Sequence, residues 1–151
     1  MNNRHILLVE DDPACACLAM QVLKEIAPGV SVHHLADGAV ALEYLEGRGE
    51  HAGHKPPLPT VVLLDLKMPR VDGFGVLERM QAMPELQLHR VVVLSASAHD
   101  ADVQRAYKLG ASGYVVKSIE FDRFSSSLQA IWDFWGTYNT PPPATATARS
   151  S

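Results

Sequence analysis

TVVLLDLKMPRVDG, residues 60–73, runs four consecutive apolar side chains directly into an acid, Asp65, before Pro69 and Gly73 interrupt the chain. An unbroken apolar run is typical of a strand buried on both faces, as in a parallel sheet that is covered by helices. A carboxylate at the end of such a strand is costly to bury unless a partner neutralises it. Asp65 is therefore the first candidate for a functional side chain.

A short apolar run, a turn and a helical segment recur in this order five times along the chain. The strands are predicted at 5–10, 30–35, 60–65, 90–95 and 113–117, and the helices at 13–27, 38–47, 73–83, 100–110 and 120–135. Five such units predict an α/β fold, a three-layer (βα)5 doubly wound parallel sheet, for which we expect strand order 2-1-3-4-5. Asp12, Asp37 and Asp100 are expected to cap the helices that they precede.

Composition excludes several functional classes. With 151 residues, of which 47% are hydrophobic, the chain can bury the core of one ordinary domain. A formal net charge of −4 without any Lys/Arg cluster argues against nucleic-acid binding. The apolar runs are too short to span a membrane, and the polar start at residues 1–5 lacks the apolar stretch of a signal peptide. We therefore expect a cytoplasmic protein without nucleic-acid or membrane partners.

Chemically useful side chains follow four of the predicted strands. The first strand ends in Glu10 and Asp11, the third in Asp65, the fourth in Ser95 and the fifth in Lys117. In an open parallel sheet, ligands bind outside the carboxyl ends of the strands, at the point where the strand order reverses. We therefore expect these side chains to converge at that edge.

The chemistry of such a cluster indicates a metal and a phosphoryl group. Carboxylates within a few ångströms of each other repel unless a cation neutralises them, and Mg²⁺ bound by Asp11 and Asp65 fits this role, with Glu10 holding a coordinated water. An aspartate can itself accept a phosphoryl group and form an acyl phosphate. Mg²⁺, the Lys117 ammonium and the Ser95 hydroxyl would stabilise the charge on the phosphoryl oxygens.

Four motifs in this order, ILLVEDD, LLDLKMPRVDGFGVL, VVVLSA and GASGYVVKS, resemble the receiver domain of two-component response regulators. The resemblance covers about residues 4–136 and implies a flavodoxin-like receiver fold. It implies these roles: Asp65 as phosphoacceptor, Glu10 and Asp11 as the acidic pair, Ser95 as switch hydroxyl, Tyr114 as switch aromatic, Lys117 as the family's lysine, and the backbone carbonyl of Lys67 as a further metal ligand. Ser118 stands where the family usually has proline, which affects the loop that follows.

A narrower resemblance concerns the partner. The long connection at 46–59, the Lys117–Ser118 dipeptide and the ending AIWDFWGTYNTPPP look like single-domain regulators that serve phytochrome-type histidine kinases. This implies a histidine kinase as phosphodonor. The Pro/Thr-rich tail, residues 137–151, is too short for an output domain, so we expect the output to be contact with a target protein or transfer to a phosphotransfer protein.

Aromatic side chains near the end of the fifth helix predict association. Trp132, Trp135 and Tyr138 recur at helical spacing, so one side of the helix can pack on the sheet while another presents aromatic surface. We expect a symmetric homodimer through the fourth helix, fifth strand, fifth helix and tail. The alternative is that both tryptophans are used inside a monomer.

Two other functions remain open on sequence grounds. One is a pseudo-receiver that binds partners without phosphorylation, although the acids, hydroxyl and lysine of the site are all present. The other is a phosphohydrolase of the aspartyl-phosphate type, which typically has a second aspartate two residues after the nucleophile, where this chain has Lys67. We therefore expect a switch module and not an enzyme.

Overall fold

The computed structural model describes residues 4–48 and 58–140. Most of the predicted 46–59 connection, and residues 141–151 of the predicted tail, lie outside the described residues. Five parallel strands form one sheet in the order β2-β1-β3-β4-β5, which confirms the predicted topology. The strands are β1 (His5–Val9), β2 (Ser31–Leu35), β3 (Val61–Leu64), β4 (Val91–Ser95) and β5 (Gly113–Val116).

Helices cover both faces of this sheet. They are α1 (Pro13–Ile26), α2 (Gly38–Glu46), α3 (Gly73–Ala82), α4 (Asp100–Lys108) and α5 (Phe121–Trp132). Alternate residues of β1 serve two separate cores: Ile6 and Leu8 pack with α1 and α5, whereas Leu7 and Val9 pack with α2, α3 and α4. The three central strands are buried at every position, which explains their unbroken apolar runs. Within residues 4–48 and 58–140, none of the helices has the length and apolar character needed to cross a bilayer.

Two of the three predicted helix caps are present. The carboxylate of Asp12 accepts a hydrogen bond from the backbone N–H of Ala14, and that of Asp37 caps α2 in the same way. The prediction for Asp100 is wrong, because His99 precedes α4 and Asp100 is its first residue. There the carboxylate lies in the first turn, where the helix dipole favours a negative charge without a capping bond.

The predicted fifth helix, 120–135, differs from the structure after Trp132. The α-helix ends there, and Asp133–Tyr138 continue the chain as a π-helix. Gly136 lies on the Trp132 indole so closely that a Cβ would come within 2.5 Å of the ring. The Arg4 guanidinium covers the same ring and donates to the Gly136 carbonyl. The π-helical turn thus accommodates the packing of Gly136 on the Trp132 ring, which helical periodicity in the sequence does not predict.

The fold yields a stability prediction at Gly73, whose missing Cβ would lie 2.4 Å from the carbonyl oxygen of Asp65. We expect Gly73→Ala to lower the free energy of unfolding by about 2–3 kcal/mol, because relieving this clash displaces the end of a buried strand. Gly113→Ala is the control, since its Cβ would make ordinary contact with Val92 at 3.7 Å. Urea unfolding measures both, and equal effects would contradict the predicted crowding at Gly73.

Candidate functional site

Three carboxylates converge at the carboxyl edge of the sheet. The parallel register pairs Val9 with Leu64, so β1 and β3 end at the same level. Glu10 and Asp11 follow β1 directly, and Asp65 follows β3. One oxygen from each carboxylate lies within 4.8 Å of the other two. The topology therefore brings together the acids that the sequence predicted for the site.

Lys117 reaches this cluster from the end of β5. Its Nζ lies 2.5 Å from Oε1 of Glu10 and 3.5 Å from Oδ1 of Asp65. The backbone N–H of Lys117 donates to the carbonyl of Ser95 at 2.7 Å, which extends the pairing of β4 and β5 to this residue. Glu10 and Asp65 are buried. Two buried carboxylates thus share a single ammonium.

This arrangement shifts the pKa of two groups. Burial raises the pKa of the Asp65 carboxyl to about 6, since the opposing effect of the Lys117 charge is smaller and the Glu10 charge adds to the rise. Burial would lower the pKa of the Lys117 ammonium, but the hydrogen bond to Glu10 and the charge of Asp65 hold it above its usual value. Lys117 therefore stays charged. Asp65 is the carboxyl group whose ionised form is disfavoured in this cluster.

The donor set fits a hard divalent cation. Three carboxylates outnumber the one ammonium, and oxygen donors of this kind are what Mg²⁺, Mn²⁺ and Ca²⁺ prefer. Asp11 is half-buried and lines an open cleft of about 470 Å³, together with Lys67. The cleft leaves room for an ion with several of its waters. Glu10, Asp11 and Asp65 can therefore hold a divalent cation.

The two residues predicted as a switch are linked through a third residue, Ser97. Ser95, buried at the end of β4, accepts a hydrogen bond at its Oγ from the backbone N–H of Ser97. The Tyr114 hydroxyl donates to the carbonyl of Ser97 at 2.8 Å. The Ser97 hydroxyl donates to Asp102 in the first turn of α4 at 2.5 Å. Ser97 and Asp102 were not predicted, and the only sequence signal was the position of Ser97 two residues after a strand end.

Sequence reasoning also missed an ion pair beside the site. Arg70, in the loop after β3, donates to Asp37, which was predicted only as a helix cap. Arg105 and Phe74 line the same cleft as Asp11, with the guanidinium 4.2 Å from the centre of the ring. Because these pairs join residues far apart in sequence, no local sequence pattern predicts them.

The raised pKa of Asp65 gives a pH-dependent prediction for Asp65→Asn without divalent cations. A carboxyl whose pKa is about 6 when folded, against an ordinary 3.8, binds its proton more tightly in the folded protein. The ionised Asp65 carboxylate therefore destabilises the fold fully above about pH 6, and this effect is absent below pH 3.8. After allowing for solvent screening, we expect Asp65→Asn to raise the free energy of unfolding at pH 8 by about 1–2 kcal/mol, with little gain near pH 4.

Urea unfolding in chelator at both pH values measures this effect, with Asp122→Asn on the exposed side of α5 as the matched control. Adding a divalent cation should stabilise the parent protein and narrow the difference, because the ion neutralises Asp65. A variant that is less stable than the parent at pH 8, or equally stabilised at both pH values, would contradict the electrostatic account.

Comparisons with known proteins agree with this geometry. The family model described as response regulator receiver domain matches residues 6–129. Response regulator Rcp1 of Synechocystis sp. is 36% identical over 139 residues, covering 92% of this chain and 93% of Rcp1. Its Mn²⁺-bound crystal structure superposes with a TM-score of 0.84 at 35% identity, covering 93% and 99% of the two chains.

Two further solved structures are similar over nearly their full length. The phosphorylated cyanobacterial phytochrome response regulator RcpA has a TM-score of 0.87 at 32% identity, covering 94% of this chain and all of RcpA. The bacteriophytochrome response regulator AtBRR has a TM-score of 0.74 at 37% identity, covering 93% of this chain and all of AtBRR. With the matched family model and the strand-end site, these likenesses show that the chain belongs to the response regulator receiver family of two-component phosphorelay systems.

Proposed function

We propose that Asp65 is the phosphoacceptor of this receiver. The observation that carries the proposal is the position of Lys117, whose ammonium lies against Glu10 and 3.5 Å from Asp65. An ammonium held there can bind a phosphoryl oxygen once the acceptor carboxylate carries the group. The half-buried Asp11 and the adjoining cleft leave the acceptor approachable from solvent.

The phosphodonor in this proposal is a phosphohistidine of a histidine kinase, of the phytochrome type. An Asp65 oxygen attacks phosphorus, the P–N bond breaks, and the imidazole leaves with a proton from solvent. Glu10, Asp11, Asp65 and the Lys67 carbonyl would hold Mg²⁺, which supplies charge neutralisation at the phosphoryl oxygens. Membership of the family and the likeness to RcpA, a phytochrome response regulator, support this donor.

The output in this proposal is a change in a protein-binding surface. The Ser95 hydroxyl turns toward the phosphoryl oxygens, which removes the acceptor that now holds the Ser97 N–H. Because Tyr114 and Asp102 are both bonded to Ser97, this movement alters β5 and α4 together. The receiver unit, residues 4–136, then contacts a target protein or passes the phosphoryl group to a phosphotransfer protein.

This role is that of a cytoplasmic switch without nucleic-acid contacts and without turnover of a substrate. A phosphohydrolase is the weaker candidate, because Lys67 stands where the general acid of such enzymes is expected. A pseudo-receiver is also weaker, because it would have no use for a carboxylate cluster that costs stability when it is metal-free.

Acetyl phosphate with Mg²⁺ should add one phosphoryl group to the protein, measured by intact mass. Asp65→Asn and added chelator should both abolish the addition, whereas Asp122→Asn should leave it unchanged because that carboxylate is exposed in the first turn of α5 and is not part of the cluster of Glu10, Asp11 and Asp65. Labelling that persists in Asp65→Asn contradicts the assignment. Absence of labelling from any donor indicates a pseudo-receiver, and sustained release of phosphate from p-nitrophenyl phosphate indicates a hydrolase.

We also propose that the receiver forms a homodimer through α4, β5, α5 and the tail. Phe134 and Tyr138 expose 50% and 77% of their surface, while Trp132 is buried and Trp135 is half-buried. Tyr107 on α4 and Val116 on β5 add exposed apolar surface on neighbouring elements. A two-fold contact would bury this surface twice with one patch.

Sedimentation tests the dimer. We expect the full chain to sediment as a dimer at micromolar concentration, and both a chain stopped after Gly136 and Tyr138→Ser to shift toward monomer, because they remove exposed aromatic surface. Leu58→Ser is the matched control, since Leu58 is also an exposed apolar residue but lies outside the proposed interface. A monomeric full chain at high micromolar concentration, with and without a phosphoryl mimic, would rule the dimer out.

A further inference from the structure

Arg70 has an unusual backbone conformation in the loop that joins β3 to α3. Its φ is +63°, which makes it the single non-glycine residue with positive φ among residues 4–48 and 58–140. This conformation costs an ordinary L residue about 1 kcal/mol or more. The same loop, residues 65–72, carries Asp65 and the Lys67 carbonyl. A strained residue at this place requires a compensating interaction.

Asp37 supplies that interaction. Its Oδ2 accepts a hydrogen bond from Nε of Arg70 at 2.8 Å and lies 2.5 Å from Nη2 of the same guanidinium. Its Oδ1 accepts from the backbone N–H groups of Ala39 and Val40, so the same carboxylate caps α2. The Asp37 side chain is 18% exposed, whereas that of Arg70 is 63% exposed. Asp37 is thus held at the start of α2, and its ion pair with Arg70 holds the loop.

The loop backbone next to Arg70 is held against the same helix. A Cβ on Gly38, the first residue of α2, would lie 2.1 Å from the carbonyl oxygen of Val71, so the two backbones are in direct contact. Asp72 then caps α3 by accepting from the N–H of Gly75 at 2.9 Å. Contacts at Arg70, Val71 and Asp72 therefore hold the loop on the C-terminal side of Lys67. Of these three residues, Arg70 is the nearest to Lys67 in sequence.

We propose that Arg70 and Asp37 are positioning residues that set the divalent-cation affinity of the site by orienting the loop that carries the Lys67 carbonyl. Neither side chain touches the ion. The inference rests on the proposed function, because the Lys67 carbonyl is a ligand only in that account. Partners that orient metal ligands commonly affect metal affinity without taking part in the chemistry.

Direct electrostatics and positioning predict opposite signs for Arg70→Gln and the same sign for Asp37→Asn. If only long-range charge mattered, Arg70→Gln would remove a positive charge and tighten cation binding, whereas Asp37→Asn would remove a negative charge and weaken it. If the pair positions the loop, both substitutions weaken binding. Asn is also a good helix cap, so Asp37→Asn keeps the cap of α2 and removes mainly the ion pair.

The experiment measures free Mn²⁺ by electron paramagnetic resonance during titration of the whole chain. We expect the Mn²⁺ dissociation constant to rise about three- to tenfold in Arg70→Gln and in Asp37→Asn, at or below the low end of the effects seen for partners of metal ligands. The double variant should be no weaker than the weaker single variant, because both remove one interaction. With acetyl phosphate, the Mg²⁺ concentration for half-maximal rate should rise, while the rate at saturating Mg²⁺ stays within about twofold.

Arg79→Gln is the matched control. Arg79 of α3 pairs with Glu46 of α2 at 3.2 Å and, like Arg70, has an exposed guanidinium, but it lies outside the loop at 65–72. It should leave the dissociation constant unchanged. Tighter binding in Arg70→Gln, or single variants that match Arg79→Gln, would overturn the positioning role while leaving the proposed function intact. Failure of the parent protein to bind Mn²⁺ would overturn the metal site itself, and the inference with it.

Discussion

The contact of the Lys117 ammonium with Glu10 and Asp65 is the interaction on which the rest of the site depends. It exists because β1, β3 and β5 are parallel and end at one edge, so residues more than 100 positions apart meet there. Without the ammonium, two buried carboxylates would face each other with no counter-charge, at a cost of several kcal/mol. With it, the site still carries excess negative charge. The fold thus holds an excess of negative charge that a divalent cation would neutralise.

This excess of charge is also the basis of the switch that we propose. The burial that raises the pKa of Asp65 limits the contact of its carboxyl with water, while the half-buried Asp11 lines an open cleft. In the switch that we propose, a phosphoryl group on Asp65 draws the Ser95 hydroxyl away from the Ser97 N–H, from which it now accepts a hydrogen bond. Because the Tyr114 hydroxyl is bonded to the Ser97 carbonyl, this movement would change the packing of β5.

The sequence predicted those features that depend on periodicity and on strand ends. Runs of apolar residues before Asp65 identified buried parallel strands, and parallel strands require that the residues following them share an edge. What failed depends on tertiary contacts: the π-helix after Trp132 follows from packing of the indole against Gly136, which no spacing rule contains. The pairing of Arg70 with Asp37 joins residues 33 positions apart, and neither residue is unusual in its local sequence. The predicted N-cap of α4, Asp100, differs from the observed one, His99, by one residue, which is within the ordinary variation of helix boundaries.

A crystal structure of the protein with Mg²⁺ and beryllofluoride, which mimics a phosphoryl group on a carboxylate, would show whether Asp65 is the phosphoacceptor. We expect beryllium bonded to an Asp65 oxygen, with fluorine atoms contacting the Lys117 ammonium and the Ser95 hydroxyl. We also expect the cation to lie among Asp11, Asp65 and the Lys67 carbonyl. Beryllofluoride on any other carboxylate, or a cation outside the cluster of Glu10, Asp11 and Asp65, would contradict this assignment.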